Sequence, residues 1–143
     1  MERFIALLRG CFDAGECHVG DHIKQGPPVT HPFIWGWRQP SQDADISGCG
    51  QRIGWINQPD GKLWLEPEAT FKVIQRFASS QNEPMLMQKS TLWKRLFERG
   101  LLYSTEIDKK SGRIRVDVKR PAGGKQTRVL AFHTNLITDC GDD

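Results

Sequence analysis

Residues Ser90–Tyr103, STLWKRLFERGLLY, together with Arg113–His133, RIRVDVKRPAGGKQTRVLAFH, decide the fold. In the first run, Leu92, Trp93, Leu96 and Phe97 recur at three- and four-residue spacing, which predicts the buried stripe of a helix. Ser90 is positioned to cap that helix and Gly100 to end it. Its opposite arc carries Thr91, Lys94, Arg95 and Glu98. In the second run, Arg113, Arg115, Asp117 and Lys119 alternate with Ile114, Val116 and Val118, the period-two pattern of a strand. Pro121–Lys125 reads as a turn, and Thr127–His133 as the returning strand, with Val129, Leu130 and Phe132 apolar.

Upstream elements are read in the same way. Pro67 opens a helix that runs to about Gln81, with Phe71, Val73, Ile74, Phe77 and Ala78 on one side. Asn82-Glu83-Pro84 breaks it. Ile53–Ile56 and Lys62–Leu65 flank a Pro59-Asp60-Gly61 turn and predict a hairpin. Phe4, Leu7, Leu8, Cys11 and Phe12 predict a helix over residues 2–13, and HPFIWGWR at 31–38 reads as a short strand. A helix, a connection, a second helix and a basic hairpin come in the order of a winged helix-turn-helix. The expected class is therefore α+β. A winged-helix domain over 66–137 carries an N-terminal helix and hairpin extension over 1–65 and an acidic tail over 138–143. Trp35, Trp37, Trp55 and Trp64 read as core at the junction of the two parts rather than as a platform for stacking bases.

Charge sharpens this reading. The 143 residues hold 20 Lys and Arg against 17 Asp and Glu, a net +3 that says little alone. Residues 1–65 carry −1, whereas residues 85–130 carry 12 cations against Glu98, Glu106, Asp108 and Asp117, a surplus of +8. A basic segment inside a nearly neutral chain is the footprint of a nucleic-acid surface. Lys89, Ser90, Thr91, Lys94 and Arg95 are the expected contacts from the helix. Lys109, Lys110, Arg113, Arg115, Lys119, Arg120, Lys125 and Arg128 are those expected from the wing. The alternative for a basic hairpin is protection of a strand edge.

Other classes find little in the chain. No apolar run reaches the ~18 residues of a membrane span, and the charged start MERFIALLRG does not read as a secretory signal. A cytoplasmic protein is expected. Cys11, Cys17, His18 and His22 have residue types that suit zinc. However, the Cys11–Cys17 spacing is wider than structural sites use, and Cys11 falls on the apolar face of the first helix, so no metal or cofactor is expected. There is no phosphate loop, HExxH or nucleophile elbow, so no enzyme is expected.

The runs GQRIGWINQPDGKLWLEPEATFKVIQRFA, STLWKRLFERGLLYSTE and RIRVDVKR resemble the C-terminal region of bacterial, phage and mobile-element replication proteins of the primase–helicase type. The likeness extends from about Phe4 to Ile137. It implies a non-catalytic C-terminal module, present alone or as part of a longer chain, with the ATPase part of such a protein as a partner; DNA, duplex by preference, is the partner expected from the charge placement. A protein-docking or oligomerisation module without nucleic-acid binding is the alternative.

Overall fold

A computed structural model describes residues 2–138. Its first helix, α1 (Glu2–Asp13), buries Phe4, Leu8, Cys11 and Phe12, the stripe that the spacing predicts. Strands β4 (Gln51–Asn57) and β5 (Lys62–Leu65) form the expected hairpin, and the Gly61 amide donates to the Gln58 carbonyl to close its turn. Helices α2 (Pro67–Ser80) and α3 (Lys89–Glu98) follow. Pro67 occupies the first turn of α2, where its missing N–H costs nothing. The α3 helix begins one residue before Ser90, with Gln88 at its N-cap, so Ser90 lies inside the helix and does not cap it.

Two further readings are corrected. HPFIWGWR is mostly a 3₁₀ turn (Pro32–Trp35), and only Trp37–Arg38 is a strand, β2, paired with β3 (Ser47–Gly48). Pro32 starts the turn and Gly36 leaves it, which breaks the alternation. Trp35 and Trp37 are buried while Phe33 is exposed. Residues Cys17–Asp21 form strand β1, parallel to β4, where no strand is expected from the sequence.

The basic segment folds as two hairpins rather than one. β6 (Glu106–Ile107) pairs with β7 (Ile114–Arg115), and β8 (Val118–Ala122) pairs with β9 (Lys125–His133). The turn of the second hairpin is only Gly123-Gly124, with φ of 63° and 82°. Positive φ at both positions is what a two-residue turn between twisted strands demands, and glycine supplies it without steric cost. Pro121 therefore sits in β8 itself, which is tolerable because β8 is an edge strand. A short helix, α4 (Asn135–Thr138), ends the described chain. The acidic tail lies outside the described residues beyond Thr138.

The main sheet has the order β1-β4-β5-β9-β8 and a different core on each face. On one face Ile56, Leu63, Leu65, Leu130 and Phe132 pack against the helices. Trp93 of α3 meets Phe4 of α1 and Phe71 of α2 edge-to-face, at ring centroid distances of 6.3 and 6.1 Å. On the other face Trp55, Trp64, Val118, Ala122, Val129 and Ala131 form a smaller cluster closed by Tyr103. The Trp64 indole donates to the Tyr103 hydroxyl at 2.7 Å. All four tryptophans read as core are buried, two in each cluster. The boundary at residue 65 falls between β5 and α2, and residues on both sides of it share one sheet and one core. Among the described residues no helix is long and apolar enough to cross a membrane.

Gly54 is required by close approach. A Cβ there would run into the Trp64 carbonyl and the Leu65 backbone across the β4–β5 ladder. Gly54→Ala is expected to lower unfolding free energy by about 3 kcal/mol, the upper end of overpacking costs, measured by urea denaturation. An unchanged midpoint would show that the ladder can spread at no cost.

Candidate nucleic-acid interface

The sequence-derived residues distribute over α3 and the two hairpins, and the structure sorts them into groups. Ser90 and Lys94 of α3 line one groove with Arg113 and Arg115 of the β6–β7 hairpin. That groove has a volume of about 770 Å³, and Trp93, Phe97, Ile114 and Val116 supply its apolar surface. Arg95 lies around the helix from Lys94 and borders a different hollow, beside Arg3, Phe4 and Met85. Thr91 is exposed between them. Lys89 and Lys125 line a separate cleft of about 590 Å³ with Trp55 and Trp93. Both of those indole nitrogens are buried with no hydrogen-bond partner among the described residues.

The cations also differ in how they are held. Arg128 bonds Glu106 at 2.7 Å and approaches Asp117 at 3.5 Å, and Arg115 bonds Asp117 at 3.1 Å. Lys89 is paired with Glu68. Arg120 donates to the Ser104 hydroxyl at 2.9 Å and lies 5.9 Å from the centre of the Tyr103 ring. Lys94, Arg95, Lys109, Lys110, Arg113 and Lys125 have no acid partner among the described residues, whereas Lys119 acts on Glu106. Two acids inside the basic segment thus serve to lock Arg115 and Arg128 in the sheet framework, which leaves Lys94 and Arg95 of the helix and the turn cations free.

Titration follows from these contacts. The Glu106 carboxyl is held below its ordinary value by the Lys119 amide and then by the Arg128 guanidinium. Asp108 is lowered chiefly by the Lys110 amide, which donates to it at 2.9 Å within the β6–β7 turn. Asp117 raises Arg115 through their hydrogen bond. The β6–β7 hairpin escapes prediction from sequence because each of its strands has only two residues. Its signal is the turn chemistry of Asp108-Lys109-Lys110-Ser111-Gly112, where Asp108 accepts from the backbone and Gly112 takes φ of 73°.

Of the possible zinc ligands, Cys11 and Cys17 meet, while His18 and His22 are held elsewhere. Among the described residues, no three His, Cys, Asp or Glu side chains gather as a metal site would require. Cys11 and Cys17 are buried in the main core, and the Cys17 thiol is pushed far up by its hydrogen bond to Cys11 and by burial. His18 Nδ1 lies 2.9 Å from the Cys49 carbonyl oxygen, and the His22 ring stands edge-on to Trp64.

No protein-family model, curated protein or solved structure matches this chain.

Because the folded-state pKa of Glu106 is depressed, its interaction stabilises the protein above the ordinary value of 4.5 and is lost as pH falls below it, through the lowered value. The melting temperature of the wild type is expected to fall more steeply below pH 4.5 than that of Glu106→Gln. Parallel curves would show that the Arg128 bridge contributes nothing measurable.

Proposed function

We propose that this chain is a non-catalytic DNA-binding accessory domain, built as a winged helix-turn-helix, of a replication protein of the phage or mobile-element primase–helicase type. The α3 helix is the recognition helix, and the basic segment over about 112–130 is the wing. The element order supports this: α1 packs on α2, α3 follows α2, and β8 and β9 make a hairpin whose second strand also pairs with β5. In such an arrangement the outward face of the second helix enters the major groove while the hairpin meets the backbone. The replication context rests on the sequence resemblance alone, most specifically on the RIGW and LEPEA blocks joined to LWKRLFERGLL.

The observation that carries the reading is the set of cations without acid partners. Four of them, Lys94, Lys109, Lys110 and Arg113, lie on α3 or on the β6–β7 hairpin. A strand edge needs only a charge or two to block pairing, and β8 already has Pro121. Phosphate contact accounts for the remainder. The protein-docking alternative draws on Phe33 and Ile34, exposed on the 3₁₀ turn well away in sequence from the basic segment.

A duplex titration at several salt concentrations tests the choice. Wild type is expected to bind with a steep salt dependence. Lys94→Ala/Arg113→Ala, which removes one cation from each wall of the groove, should weaken binding and reduce the log–log slope by about 1 for each phosphate no longer neutralised. Unchanged affinity, or a flat salt response, would sink the DNA reading. Absence of duplex binding at low salt would favour docking.

A further inference from the structure

We propose that the β6–β7 hairpin is a wedge that enters the minor groove and bends the duplex, with Ile107 and Ile114 as the inserting pair. This rests on the DNA-binding reading and adds a mode of contact to it. The two isoleucines are direct cross-strand partners, so their side chains stand on the same face of the hairpin. They are 70% and 54% exposed, Ile114 at the edge of the groove beside α3, in a chain whose other strand isoleucines, Ile53 and Ile56, are fully buried. Leaving two adjacent β-branched side chains in water gives up the burial that would otherwise repay them, and the main core does not include either residue.

The surroundings identify the occupant. Lys109 and Lys110 occupy the turn, and Arg113 precedes Ile114. None of the three has an acid partner among the described residues. The one acid in the turn, Asp108, is engaged by the Lys110 amide and bonded back to the turn. An apolar pair at the root of a turn that carries free cations repels a basic partner and attracts a polyanion with stacked apolar layers. DNA is that polyanion, because apolar side chains such as Ile separate base steps while Lys and Arg hold the flanking phosphates. The hairpin is also suitably anchored for pushing. The Lys119 amide and the Arg128 guanidinium both donate to Glu106, so the base of β6 is fixed to the β8–β9 hairpin.

An acidic apolar protein surface is the competing occupant, and a bending assay separates the two. The full chain is titrated against a duplex carrying a fluorescent donor and acceptor at its ends. Wild type is expected to raise energy transfer at saturation as the ends approach. Ile107→Thr/Ile114→Thr keeps β-branched residues, and with them the hairpin, but makes the pair polar. At saturation it should return energy transfer to the value of the free duplex, whatever its effect on Kd, because Lys109, Lys110 and Arg113 still hold the flanking phosphates. Ile107→Val/Ile114→Val should retain the bend. Lys109→Gln/Lys110→Gln should weaken binding but leave the bend at saturation unchanged. Duplex binding without a bend, or a bend that survives the threonine pair, overturns the wedge and leaves the DNA-binding reading standing. No duplex binding by the wild type overturns both.

Discussion

Everything in this protein hangs on a four-residue strand. β5 pairs with β4 on one side and β9 on the other, with Trp64 directly opposite both Trp55 and Ala131. Leu63 and Leu65 point to the helices, whereas Trp64 points to the small cluster under Tyr103. Burying each leucine contributes about 1.5–3 kcal/mol. The larger effect is topological, since β5 joins the 17–57 segment to the 125–133 strand. Without that ladder the β1–β4 pair under α1 and the β8–β9 hairpin have no strand between them.

What the sequence makes legible follows from how strongly each segment repeats. α1 and α2 show three or more turns of apolar spacing, and the structure places them within a residue of the expected bounds. The β4–β5 hairpin has both alternation and a turn tripeptide, and is likewise found. β1 is illegible because CHVGD is a strand buried on a parallel neighbour, where alternation is weak. The aromatic segment misleads for the opposite reason. Its alternation of Phe33, Trp35 and Trp37 suits a strand, but Pro32 and Gly36 override it locally. The long basic strand is interrupted near Val116–Asp117, where the chain passes from one partner strand to another. No pattern within a single strand reports such a change of partner.

The candidate site is legible as composition but not as geometry. A surplus of +8 over residues 85–130 is visible by counting. Which cations are available is not, because pairing depends on contacts distant in sequence. Arg128 is held by Glu106 across 22 residues, and Lys89 by Glu68 across a helix boundary. Nor does sequence spacing show that Lys94 and Arg95, adjacent on α3, border different hollows. One residue advances a helix by about 100°, enough to separate a groove from its far side.

The paired and unpaired cations have different jobs in this architecture. A guanidinium locked by two carboxylates is a poor phosphate ligand, since binding would have to break bonds already made; it serves better as a strut. Arg128 is a strut of this kind, and Arg115, held by Asp117 alone, supports it. They join β7, β8 and β9 near Asp117 and set the angle between the two hairpins. Free lysines on turns keep their side-chain entropy until a partner arrives, which suits contacts that must be made and released. The division also explains why acids persist inside the most basic part of the chain. Removing Glu106 or Asp117 would raise the net positive charge but release the struts, and the hairpin cations would lose their fixed spacing. Geometry, rather than total charge, is what those two carboxylates preserve.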